Sequence, residues 1–126
     1  MPNLILEKVL KFILPLRSFN IVDKPNLNYI KKLSGGDTIF EEKIISILKE
    51  EFPIEKESYE NSIKSNDFAA ATEIVHKMKH KISILGLEKS YNIVTEYEKN
   101  LNEGNNILAL EFKLILDIIT TYLKEL

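Results

Sequence analysis

Two histidines, His76 and His80, stand in the run DFAAATEIVHKMKHKISILGL, residues 67–87, and they are the side chains best suited to chemistry. The chain has no cysteine, which removes disulfides, thiolate zinc sites and cysteine nucleophiles together and fits a reducing compartment. Imidazole offers an uncharged ring nitrogen near neutral pH, either as a nucleophile or as a metal ligand. At i,i+4 spacing both rings lie on one side of a helix. As a zinc site the pair is poor: no third ligand is defined, and Lys77-Met78-Lys79 lacks the glutamate of a metalloprotease helix. As a nucleophile, a histidine needs a ring held open to water by a rigid element. Without further signal, an exposed helical histidine is ordinarily a solvated side chain.

The element that must hold these rings is a long helix. At about 100° per residue, Phe68, Ala71, Ile74, Val75, Met78, Ile82 and Leu85 fall within an arc of about 120°, the width of a core-facing stripe. His76 points almost directly away from it. Ala69, Thr72, Lys79, His80 and Ser83 surround His76 on the outer side, so the imidazole stands among small or cationic neighbours where a partner can approach.

The run His76-Lys77-Met78-Lys79, with Leu85-Gly86 nine and ten places after the histidine, resembles the signature of the histidine-containing phosphotransfer (HPt) domain. Leu33-Ser34-Gly35-Gly36-Asp37, with Phe40 behind it, resembles the opening of the same family, and the likeness runs from about Pro25 to the C-terminus. The chain departs at His80 and Lys81, where the family usually has glycine and often a small residue. The resemblance implies that His76 is a phosphoacceptor and that Lys79, one turn along, offsets the charge of the incoming phosphoryl group. It implies a phosphocarrier of a two-component phosphorelay rather than a stand-alone enzyme, with receiver domains as partners. The sequence shows no Gly-rich nucleotide loop and no acidic triad for magnesium, so no cofactor of its own is expected. The receiver brings a phospho-aspartate and its own magnesium. Ala69, Thr72, His80 and Ser83 form the expected docking face. His80 admits three readings: a tolerated replacement for glycine, a competing phosphoacceptor, or half of a metal site. A rival of another class is a non-catalytic HPt-like adaptor that binds receiver or kinase domains and transfers nothing.

Composition sets the wider frame. The chain's 126 residues suit one domain that buries roughly two-thirds of its unfolded surface. A net charge of −2 gives no global support for a counterion-driven grip on nucleic acid. The apolar run from Leu4 to Leu16 is interrupted by Glu7, Lys8, Lys11 and Pro15; it is too short and too charged to span a bilayer and lacks a signal-peptide cleavage region. A cytoplasmic monomer is expected.

Four glycines, four prolines and few strand-like alternations predict an all-α fold. Residues 1–25 read as an N-terminal extension, with a short helix over 3–14 and a loosely docked linker from Leu16 to Lys24; residues 26–126 read as the domain. Leu27 to Leu33 forms two helical turns with Asn26 as N-cap and Gly35-Gly36 as the stop. Asp37 caps a helix through Phe40, Ile44, Ile47 and Leu48 that ends near Phe52. Pro53 then opens a further helix to about Lys64, with Ile54, Tyr59 and Ile63 on its apolar side. After the break at Ser65-Asn66-Asp67 comes the histidine helix, stopped by Gly86. A helix from Glu88 to Asn102 places Tyr91, Val94, Tyr97 and Leu101 in the core. The last, Ile107 to Lys124, does so with Leu110, Leu114, Ile118 and Tyr122, flanked by Leu108, Phe112 and Ile115. Short connections predict an antiparallel up-down four-helix bundle preceded by a short helix.

Overall fold

A computed structural model describes residues 23–126, which hold five helices and no strand. They are α1 (Asn28–Ser34), α2 (Thr38–Lys64), α3 (Phe68–Ile84), α4 (Glu88–Asn102) and α5 (Ala109–Glu125). Among the described residues no helix is long and apolar enough to cross a membrane. The expected helix over 3–14 and most of the linker lie outside the described residues.

The helix ends follow from local chemistry. The Asp37 carboxylate accepts the N–H groups of Ile39 and Phe40, both at 3.1 Å, and starts α2. Asn66 takes φ 56°, the left-handed turn that glycine usually supplies, and Asp67 then accepts the Ala70 N–H at 3.0 Å to start α3. α3 stops at Gly86, φ +76°, where the Leu87 N–H returns to the Ile82 carbonyl at 3.2 Å. A Cβ at Gly86 would also lie 2.6 Å from the Asn26 side chain, whose backbone N–H donates to the Leu85 carbonyl at 2.8 Å. The backbone angle is what requires glycine; a side chain here would in addition displace that of Asn26. The cap of α1 falls at Leu27 rather than Asn26, although the Asn26 side chain still accepts the Asn28 N–H at 3.0 Å.

The break expected at Pro53 is absent: α2 runs unbroken through it. An interior proline costs about 3 kcal/mol and strips the carbonyl four residues back of its donor. Here Pro53 and Lys49 are both exposed, which leaves that carbonyl on the solvent side. Leu48, Phe52 and Tyr59 form one buried stripe across the proline, and each is worth roughly 1.5–3 kcal/mol of burial that a break at Pro53 puts at risk. Packing outweighs the local rule. Ile54, expected on the apolar side, is 63% exposed, and Phe40 and Ile47 are exposed too.

α2 packs against α1, α3 and α5, and α4 packs against α3 and α5. The Lys49 ammonium donates to the Leu126 carbonyl at 3.2 Å and Lys56 to Thr120 Oγ1 at 3.3 Å, so α2 and α5 run in opposite directions. The stripe expected on α3 is the one observed: Ala71, Val75, Met78, Ile82 and Leu85 are buried, with Phe68 and Ile74 half-buried. Val94, Tyr97 and Leu101 are buried on α4, with Tyr91 at the rim. α5 corrects the sequence reading. Its core residues are Phe112, Ile115, Leu116, Ile119 and Leu123, whereas Leu110 and Leu114 are exposed. The apolar residues of this helix surround most of its circumference, so periodicity alone leaves its rotation undetermined.

An aromatic layer ties three helices together. Tyr59 of α2 and Tyr97 of α4 meet hydroxyl to hydroxyl at 2.5 Å, and both rings pack on Phe112 of α5 at 4.8 and 5.2 Å between centroids. Burial pushes the pKa values of both tyrosines upward, and for Tyr59 the bond from Tyr97 adds to the rise. Asp23 belongs to the segment expected to dock loosely, yet its carboxylate accepts the Lys89 N–H at 2.8 Å and the Ser90 hydroxyl at 2.6 Å. It caps α4, whose own Leu87 offers no capping side chain.

Candidate functional site

The stripe that anchors α3 in the core turns His76 outward at the middle of the helix. Its side chain is 54% exposed. Nδ1 lies 2.8 Å from Glu98 Oε2 of α4, and the other carboxylate oxygen of Glu98 lies 2.8 Å from the Lys79 ammonium. One carboxylate thus bridges the two residues expected to carry the chemistry. Lys79 is only 13% exposed, and its ammonium sits 5.5 Å from the centroid of the Tyr91 ring, a cation–π contact.

A carboxylate accepts only, so the contact assigns the ring proton to Nδ1 and leaves the Nε2 lone pair facing water. Burial alone would raise the Glu98 carboxyl; hydrogen bonds from Lys79 and His76 outweigh it and hold the group below the usual carboxylate range. Glu98 therefore stays ionised, orients the imidazole, and stabilises positive charge that develops on the ring. Lys79 neutralises part of the charge that the same carboxylate would turn toward an incoming anion.

The expected docking residues spread along the α3/α4 groove. Ala69, Ser83 and His80 are exposed and Thr72 is half-buried, its hydroxyl donating to the Phe68 carbonyl at 2.7 Å. Thr72 lines a depression of about 390 Å³ with Thr95, Glu98, Lys99 and Asn102; Ser83 lines another of about 300 Å³ with Glu88, Tyr91 and Asn92. Glu98 itself lines the first of these. His80 stands edge-on to His76, with ring centroids 5.3 Å apart and planes at 85°. Lys81 turns the other way, to Glu51 and Glu55 of α2 at 2.9 and 3.0 Å. Its bulk therefore does not stand on the histidine face.

Glu98 and Tyr91 are the residues that sequence reasoning missed. A signal existed. His76 lies ten residues before Gly86 and Glu98 twelve after it, so a short antiparallel turn brings them level. Among the described residues no cluster of three metal-ligating side chains is gathered. Compared with protein-family models, with curated proteins and with solved structures, the chain matches none.

Proposed function

We propose that residues 26–126 form an antiparallel up-down four-helix bundle of the HPt type, working in the cytoplasm as a phosphocarrier between receiver domains. His76 Nε2 attacks the phosphorus of a receiver phospho-aspartate, the P–O bond to that aspartate breaks, and the carboxylate leaves with its electron pair. The positive charge gained by the ring is held at Nδ1–H by Glu98, and Lys79 offsets negative charge on the transferring group. Return transfer to a second receiver's aspartate reverses these steps. Magnesium belongs to the receivers, and this chain contributes none. The observation that carries the reading is the Nδ1 contact to Glu98 on a ring otherwise open to water at mid-helix. Ala69, Thr72, His80 and Ser83 are the proposed docking contacts.

The test is incubation with a receiver domain phosphorylated on its aspartate. Acid-labile, base-stable label is expected on the wild type and none on His76→Gln; label persisting on the variant defeats the assignment. The adaptor reading draws on His80, whose ring crowds the approach to His76. It predicts receiver binding without label in the same experiment.

A further inference from the structure

We infer that His76 and His80 together form an exchangeable binding site for a borderline-soft divalent cation of the zinc class, with water completing its coordination. The i,i+4 spacing alone places two rings on one side of α3 but leaves their donor atoms undirected. Two features of the structure supply that direction. Glu98 accepts from His76 Nδ1 at 2.8 Å, which leaves Nε2 as the free donor and is the carboxylate–histidine arrangement that orients metal-ligating imidazoles and raises their basicity. The His80 ring already touches the His76 ring, with 5.3 Å between centroids. Two zinc–nitrogen bonds of about 2.0–2.1 Å at a tetrahedral centre place their nitrogens roughly 3.3 Å apart. Two histidines at i,i+4 on one helix are the spacing by which a helix binds zinc, and with His76 held by Glu98 it is the exposed His80 ring that turns about its own torsions to complete the pair.

Charge nearby does not oppose the cation. Lys79 and Lys81 are each spent on carboxylates of neighbouring helices. Glu73 and Lys77, both exposed, carry opposite charges four residues apart on α3. With two protein ligands the site is open and releases its ion readily, unlike a closed structural zinc site. If His76 is the phosphoacceptor proposed above, cation and phosphoryl group compete for one lone pair, so a bound cation blocks phosphoryl transfer. Zinc then holds the carrier silent.

The test uses the full chain and zinc chloride, in competition with a chelating dye and followed by NMR of the imidazole C–H protons. One ion per chain is expected, shifting the His76 and His80 signals together, with at least tenfold weaker binding in His80→Ala and in His76→Gln. Glu98→Gln weakens it about tenfold, the effect of losing an orienting partner. Both histidines are exposed, and an unchanged helical circular-dichroism spectrum checks the fold of each variant. Zinc affinity unaltered in His80→Ala, or zinc shifting only one ring, overturns the site. Because binding is read without any phosphoryl transfer, a chain that binds zinc but takes no label overturns the phosphocarrier reading alone. A chain that takes label but ignores zinc overturns this inference alone.

Discussion

Lys79 and Lys81 are two residues apart on α3, nearly equally buried at 13% and 12% exposed, and both end on carboxylates of a neighbouring helix. On the α2 flank, Glu51 and Glu55 close on the single ammonium of Lys81. Burial alone would lower the pKa of that ammonium, but the two carboxylates outweigh burial and raise it above its ordinary value. Among the described residues no other group shares the pair, and the flank is a staple. On the α4 flank the ratio is inverted: one carboxylate, Glu98, serves both Lys79 and the exposed ring of His76. The same type of ion pair becomes a candidate site when a third group shares it and stands open to solvent.

Exchanging each lysine for methionine breaks the comparison most directly. Lys79→Met is expected to lower the rate of transfer from a phosphorylated receiver about a hundredfold, equivalent to ~2.7 kcal/mol of lost stabilisation. Single-turnover labelling measures this, and stability should change little, because the His76 contact to Glu98 remains. Lys81→Met should do the reverse. It leaves two carboxylates facing each other without their cation, at a cost of about 1–2 kcal/mol in chemical denaturation, while transfer stays within about twofold of wild type. Equal effects of both substitutions on transfer would erase the distinction between the flanks.

What the sequence made legible was whatever depended on one helix at a time. The α3 stripe, the outward turn of His76 and the glycine stop at Gly86 all follow from a 3.6-residue period or a single backbone angle, and the structure has each of them. What depended on two helices was not legible. The run through Pro53 is held by Phe52 and Tyr59 against other elements, and the rotation of α5 is set by Phe112 and Ile119 finding the core among a nearly continuous apolar surface. Glu98 is the instructive case. By composition it is one more charged residue on an amphipathic helix, and only the register across Gly86–Leu87 makes it the partner of His76 and Lys79.

The smallest expected effect separates the flanks by pH. Glu98 has its pKa lowered by folding, so its contribution is present in full above the ordinary carboxylate value of 4.5 and is lost as pH falls toward the lowered one. The stability gap between wild type and Glu98→Gln, under about 1 kcal/mol, should be present above the ordinary carboxylate range and close in acid. Lys81 has its pKa raised, so the gap between wild type and Lys81→Met is present below the ordinary lysine value of 10.5 and closes only as pH climbs past it. Taken as differences between variants, the alkaline titrations of Tyr59 and Tyr97 cancel. Denaturation midpoints from pH 3 to 11 would measure both gaps. If the Glu98 gap persists unchanged into acid, that carboxylate is not held ionised by the pair it bridges, and the orientation it gives His76 loses its electrostatic basis.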